Sequence, residues 1–138
     1  MSGGDLFKRH VAWIEQDKLE VSEKLFGFDY QEKVEYEQFM EGYLERVKTL
    51  FENEPINGDD MKYVTISSVV TVFDEEEGER LDFKIVSPNE EMESGDIIPA
   101  SYLSKVGRAL LLRAKNERIE VTTPQGVFYY RIEDIKLN

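Results

Sequence analysis

Two series of mostly apolar residues advance at alternating steps of four and three: Phe7, Val11, Ile14, Lys18, Val21, Leu25 and then Tyr36, Met40, Tyr43, Val47, Leu50. Between them lies the break FGFDYQ at 26–31, and only Lys18 interrupts the apolar character. A 3.5-residue repeat keeps one narrow seam on one side of a helix, and two such seams are satisfied by packing against each other. The pattern therefore predicts an antiparallel helical hairpin over residues 1–54, with Gly27 closing the first helix in a left-handed conformation. Two amphipathic helices lying flat on a globular core are the alternative. The narrow stripes and charged flanks, with Trp13, Leu19 and Leu44 the main exceptions, favour mutual packing.

Beyond Asn53 the stretch ENEPINGDD has linker composition, placed at residues 55–62, and the period then changes to two. Val64–Ile66, Val69–Phe73, Leu81–Val86, Ile119–Thr122 and Val127–Ile135 read as strands, with DEEEGER (74–80) and TPQG (123–126) as hairpin turns. Ser101–Ala114 reads as a helix turning Leu103, Val106, Leu110 and Leu111 toward the sheet. The expected fold class is α+β: a short N-terminal coiled-coil hairpin, then a domain over residues 63–138 with an antiparallel sheet covered by one helix.

Composition narrows the chemistry. There is no Cys and a single His, which excludes thiolate metal sites, disulfides and a Ser-His-Asp triad assembled around a second histidine. His10 is expected on the charged side of the first helix, as a solvated position. The net charge is −12, with 7 Lys+Arg against 15 Asp+Glu in residues 1–60 and 10 against 14 in residues 61–138. Phosphate gripping over a broad surface needs the opposite sign, so sequence-specific nucleic-acid binding is not expected. The acidic half instead suits a positively charged host site. The start MSGGDLFKRH is unlike a signal peptide and no apolar run is long enough for a membrane span, so a cytoplasmic location is the expectation. The aromatic residues Phe128, Tyr129 and Tyr130 read as packing positions on a strand, and DEEEGE as a solvated turn without calcium-loop spacing.

The C-terminal half resembles the C-terminal domain of the Gre transcript-cleavage factors and their Rnk-type relatives. The resemblance is carried by VTISSVVTVFD (64–74), DFKIVSP (82–88), SKVGRALLLRAKNERIEVTTPQG (104–126) and YYRIEDIKL (129–137), most specifically by GRALL followed by VTTPQG. It implies the FKBP-like α+β fold of those domains. In the first half, DYQEKVEY (29–36) is similar to the Asp-Leu-Ser-Glu-Asn-Ala-Glu-Tyr motif at the tip of the Gre coiled coil. Asp29 and Glu32 fall at its two acidic positions, with Glu35 and Tyr36 at the following Glu-Tyr.

What the resemblance implies is an accessory factor rather than an enzyme. Gre factors insert their coiled coil through the secondary channel of RNA polymerase, where the tip carboxylates help hold the polymerase's second Mg²⁺ while water cleaves a backtracked transcript. Carboxylates at i and i+3 share one face of a helix's first turn, and Mg²⁺ prefers such hard oxygen ligands. Asp29 and Glu32 are thus the candidate catalytic-accessory and metal-assisting residues, with no cofactor of the chain's own and Mg²⁺ shared with the polymerase. The same Asp-x-x-Glu is also a capping box, and both roles can coexist. Residues Leu103, Ser104 and Lys105 align with the segment by which Gre factors grip the polymerase rim, and Arg108 follows on the helix; these four are the candidate partner-binding residues.

The chain departs from the Gre pattern in three ways. Its arms are about one heptad shorter, roughly 10 Å of reach at the rise of an α-helix. Gln31 and Lys33 stand at the Ser and Asn positions of the tip motif, preceded by Phe28, and the rim segment reads Leu-Ser-Lys. These departures motivate the rival expectation of a non-catalytic, Rnk-like or anti-Gre regulator that competes for the polymerase. A prolyl isomerase is suggested by the FKBP-like fold alone, which is a weak warrant.

Overall fold

A computed structural model describes residues 3–52, 58–90, 92 and 95–137 of the chain. It divides into two compact units, Met1–Ile56 and Asn57–Asn138.

The first unit is a pair of helices, α1 (Gly3–Phe26) and α2 (Tyr30–Leu50), packed against each other. On α2 the expected stripe is the buried one: Tyr36, Met40, Tyr43 and Val47 are enclosed, together with Leu44. On α1 the seam is rotated. Ile14 and Val21 are buried as expected, but the positions that complete the stripe are His10 and Asp17 rather than Val11, Lys18 and Leu25. The steps are still four and three: Ile14 and Val21 stay in the seam, while the alternate positions move back by one residue, from Val11 and Lys18 to His10 and Asp17. His10, expected in solvent, is 6% exposed, and Leu25, expected in the seam, is 51% exposed. The physical reason is across the seam. Nε2 of His10 lies 2.7 Å from the Tyr43 hydroxyl, and Ser22 donates to Glu37 Oε1 at 2.8 Å, so α2 supplies hydrogen-bonding partners for polar groups on α1.

The turn between the helices also differs from expectation. Gly27 is not left-handed; the described glycines with positive φ are Gly78 and Gly126. Its role is steric, because a Cβ there would meet the Glu23 carbonyl oxygen at 2.6 Å. Phe26 stacks on Tyr36 with ring centroids 5.1 Å apart, tying the end of α1 to the second turn of α2.

The second unit is a five-stranded sheet in the order β3-β2-β1-β5-β4, with β1 (Val69–Asp74), β2 (Glu79–Val86), β3 (Ile97–Ser101), β4 (Arg118–Thr123) and β5 (Gly126–Lys136), plus one helix, α3 (Lys105–Leu110). Three strand pairs are antiparallel, but β3 runs parallel to β2, so the sheet is mixed where an antiparallel one was expected. The parallel pairing requires a crossover, which the segment after Val86 provides. Pro99 lies on β3 at the sheet edge, where a missing N–H costs no ladder bond.

One face of the sheet is buried through Val70, Val72, Phe83, Ile85, Ile119, Val121, Tyr130, Ile132 and Ile135. Val70 pairs with Ile135 and Val72 with Ile132, so two residues on β1 span three on β5. That bulge allows both isoleucines, which strict alternation would place on opposite faces, to point inward. Tyr130 packs edge-on against Phe83 at 5.8 Å, and Arg118 sits over the Tyr129 ring at 4.4 Å, so the aromatic run packs on the sheet.

The expected strand at 64–66 is instead a short bridge. Leu112 N donates to Val64 O at 2.7 Å, Val64 N donates to Arg113 O at 2.9 Å, and Tyr63 pairs with Ala114. This bridge also shortens the expected helix 101–114. Leu112 takes a positive φ of 65° to reach Val64, ending α3 at Leu110, while Ser101 belongs to β3. Of the expected linker 55–62, residues 55–57 lie outside the described residues. Residues 58–62 are part of the sheet unit: Met61 N donates to Ile135 O at 3.0 Å, Leu137 N to Gly58 O at 2.8 Å, and the Met61 side chain is buried.

Candidate functional site at the hairpin turn

The turn Gly27–Asp29 ends in a helix cap. Asp29 is the N-cap of α2, in an extended conformation, and its Oδ1 accepts the Glu32 N–H at 3.1 Å. A full capping box would return a bond from the Glu32 side chain to the Asp29 N–H. That return is not made: the Asp29 N–H is taken by the Phe26 carbonyl at 3.3 Å. Among the described residues the Glu32 carboxylate has no hydrogen-bond or ion-pair partner. Capping therefore accounts for Asp29, whereas Glu32 gains only from the positive end of the helix and makes no side-chain bond. Both side chains are exposed and lie within one turn of each other at the start of α2.

Neighbouring charges are arranged away from this pair. Lys33, one turn beyond Asp29, reaches across the hairpin to Glu23 Oε1 at 3.0 Å. The hydrogen bond to Glu23 and its charge raise the lysine pKa above the ordinary value. Its ammonium thus braces α1 against α2 instead of neutralising the tip. Glu35 accepts from Gln31 at 3.3 Å. Leu25, Phe28 and Tyr30, three large apolar residues around the same turn, stand in solvent; their exposure was not anticipated from the sequence.

Two carboxylates are too few for a resident ion. Among the described residues there is no group of three or more His, Asp or Glu arranged to hold a metal. Two hard carboxylate oxygens could supply only part of the ligand set of a cation such as Mg²⁺.

Of the four candidate partner-binding residues, Leu103, Ser104 and Lys105, aligned with the rim segment, lie at the start of α3, and Arg108 lies in its last turn. Ser104 is its N-cap: Oγ accepts from Gly107 N at 3.0 Å and donates to Ser101 O at 2.6 Å. A Cβ on Gly107 would collide with the Ser101 carbonyl oxygen, which explains why glycine opens GRALL. Ser104 is therefore occupied by the fold and Leu103 is half-buried, while Lys105 and Arg108 are exposed. Asp29 and Glu32 belong to the first unit and these four to the second. No described helix is long and apolar enough to cross a membrane.

The family model "Transcription elongation factor, GreA/GreB, C-term" matches residues 59–137, which is nearly the whole sheet unit. GreA of Caldanaerobacter subterraneus is 32% identical over 133 residues, covering 86% of this chain and 83% of that protein. GreA of Clostridioides difficile is 41% identical over 78 residues, covering 56% of this chain and 47% of that protein. A crystal structure of Gfh1 from Thermus aquaticus aligns with 97% of this chain and 91% of its own at 20% identity and a TM-score of 0.49. On the family model and the Caldanaerobacter relative, the chain belongs to the GreA/GreB transcription elongation factor family.

Proposed function

We propose that this protein is a cytoplasmic accessory factor of bacterial RNA polymerase. It enters the secondary channel with its hairpin turn and assists Mg²⁺-dependent cleavage of backtracked transcripts. The observation that carries this reading is the Glu32 carboxylate, exposed and without a partner, one turn from the exposed capping carboxylate of Asp29. An exposed anionic side chain near a helix N-terminus is favourable in itself, and two of them on one turn also present neighbouring hard oxygens to a cation.

In this reading Mg²⁺, held mainly by the polymerase, supplies the Lewis acid for water attack on the phosphodiester. Asp29 and Glu32 would help hold such an ion: the Asp29 carboxylate, oriented by its cap on the Glu32 N–H, would contribute the oxygen the cap leaves free, and Glu32 would contribute from the same turn. The Lys33–Glu23 bridge and the Phe26–Tyr36 stack hold the two helix ends together, limiting the spread of positions the carboxylates sample. On the second unit, Lys105 and Arg108 are the cationic part of the docking surface, and Ser104 shapes the backbone beside Leu103.

A second reading, a regulator that occupies the channel without cleaving, is favoured by one observation. Asp29 already spends one oxygen on the cap, leaving the turn a small donor set. Adding the protein and Mg²⁺ to a stalled, backtracked transcription complex separates the two. Release of short 3′ RNA fragments supports the first, and polymerase binding without fragments supports the second. Absence of binding removes both.

A further inference from the structure

Phe28 and Tyr30 bracket the capping Asp29 and are 106% and 83% exposed, with Leu25 beside them at 51%. The fold has no use for the two rings. An apolar residue just before an N-cap ordinarily packs on the fourth helical residue as a hydrophobic staple. Here that residue is Lys33, whose side chain is drawn to Glu23 instead, so the staple is not made. The aromatic contact that does tie the helices together is Phe26 on Tyr36. Position 30, the first residue of α2, needs no side chain of this size. Adjacent large apolar groups left in water at the apex of a hairpin are the mark of a contact surface.

The charge around them selects the partner. Residues 23–37 carry five carboxylates against two lysines, one of which, Lys33, is committed to Glu23. A phosphate backbone would be repelled from this turn, whereas a protein cavity with apolar walls and a basic rim complements it. We infer that Phe28 and Tyr30 are anchor residues that seat the hairpin turn in such a cavity of a protein partner. The two rings supply binding that does not depend on the neighbouring carboxylates. This inference rests on the reading above in taking RNA polymerase as that partner.

The test is competition binding of the full chain to core RNA polymerase at low and high salt, with wild type, Phe28→Ser/Tyr30→Ser and Asp29→Asn/Glu32→Gln. Both rings are in solvent, so the serine variant keeps the wild-type melting curve. Its affinity is expected to fall about 100-fold or more at both salt concentrations, as removal of two aromatic side chains buried in the complex requires. The carboxamide variant is expected to lose affinity chiefly at low salt. Wild-type binding matched within about twofold by the serine variant overturns the anchor role and leaves the polymerase reading standing; one alanine-scale anchor is worth more than that. Failure of wild type to bind overturns both. Ring-dependent binding of a single-stranded RNA oligonucleotide, measured in parallel, also overturns the inference, because the rings would then be stacking on bases.

Discussion

Nε2 of His10 and the hydroxyl of Tyr43 lie 2.7 Å apart inside the seam of the helical pair, a polar contact where two apolar side chains would have sufficed. Burial lowers the His10 pKa from 6.5 to about 4, because a charged imidazole there would lose its hydration. The folded state therefore binds the proton less readily than the unfolded state. Stability is fully present above pH 6.5, declines as pH falls through the window from about 6.5 to about 4, and the loss is complete below it. The shift corresponds to up to about 3 kcal/mol. Urea melts of the chain between neutral pH and pH about 5, before most carboxylates titrate, read this directly. The variant His10→Gln retains a hydrogen-bonding group without a charge change and is expected to flatten the profile in that window. An unchanged profile would mean that His10 is hydrated in the folded state.

The displaced phase of α1 makes a second, independent prediction. Ile14 is fully enclosed in the seam, so Ile14→Ala is expected to destabilise the hairpin by about 2–5 kcal/mol. Leu25 is half exposed, and Leu25→Ser should change stability by no more than about 0.5 kcal/mol. Equal and large effects at both sites would restore the register that apolar spacing alone suggests.

Two glycines should respond to alanine with opposite signs. Gly42 lies inside α2 with open space around its Cα, so Gly42→Ala is expected to stabilise by about 0.5–1 kcal/mol. Gly107 is pressed on the Ser101 carbonyl, and Gly107→Ala is expected to cost about 1–3 kcal/mol through displacement of the β3–α3 connection. Thermal melts of the two variants check both signs at once.

How much of this was legible in the sequence depends on where polar groups were used. The α2 stripe is apolar at every seam position, and its phase could be read directly. On α1 the seam includes His10 and Asp17, and a reading guided by apolar spacing moves instead to Val11 and Lys18 beside them. Only the position of Tyr43 on the facing helix tells that His10 has a partner. The turns were readable because their chemistry is local: Gly78 at φ 70° follows Asp74, whose side chain accepts two backbone N–H groups, and Gly126 at φ 136° closes TPQG. Strand β3 was not readable, since IIPAS is short, contains proline and is exposed at an edge. The end of α3 was misplaced because Leu111 and Leu112 continue an apolar run, yet Leu112 leaves helical geometry to pair with Val64. At the turn, the spacing marked out Asp29 and Glu32, but nothing in it showed that Glu32 would be left unbonded or that Phe28 would have no ring to pack on.

Isosteric variants separate a ligand role of the two turn carboxylates from their role in capping α2. Asn caps a helix about as well as Asp, so Asp29→Asn should keep the stability that Asp29→Ala loses, about 1 kcal/mol. The decisive measurement is the rate of 3′ fragment release from a stalled, backtracked transcription complex with Mg²⁺, using wild type, Asp29→Asn and Glu32→Gln at saturating concentration. Cleavage is expected with wild type, and a fall on the order of 10- to 100-fold in each variant, the scale set by perturbing a metal's supporting ligands. Wild-type protein that occupies the polymerase without releasing fragments, or variants that cleave as fast as wild type, would contradict the ligand role.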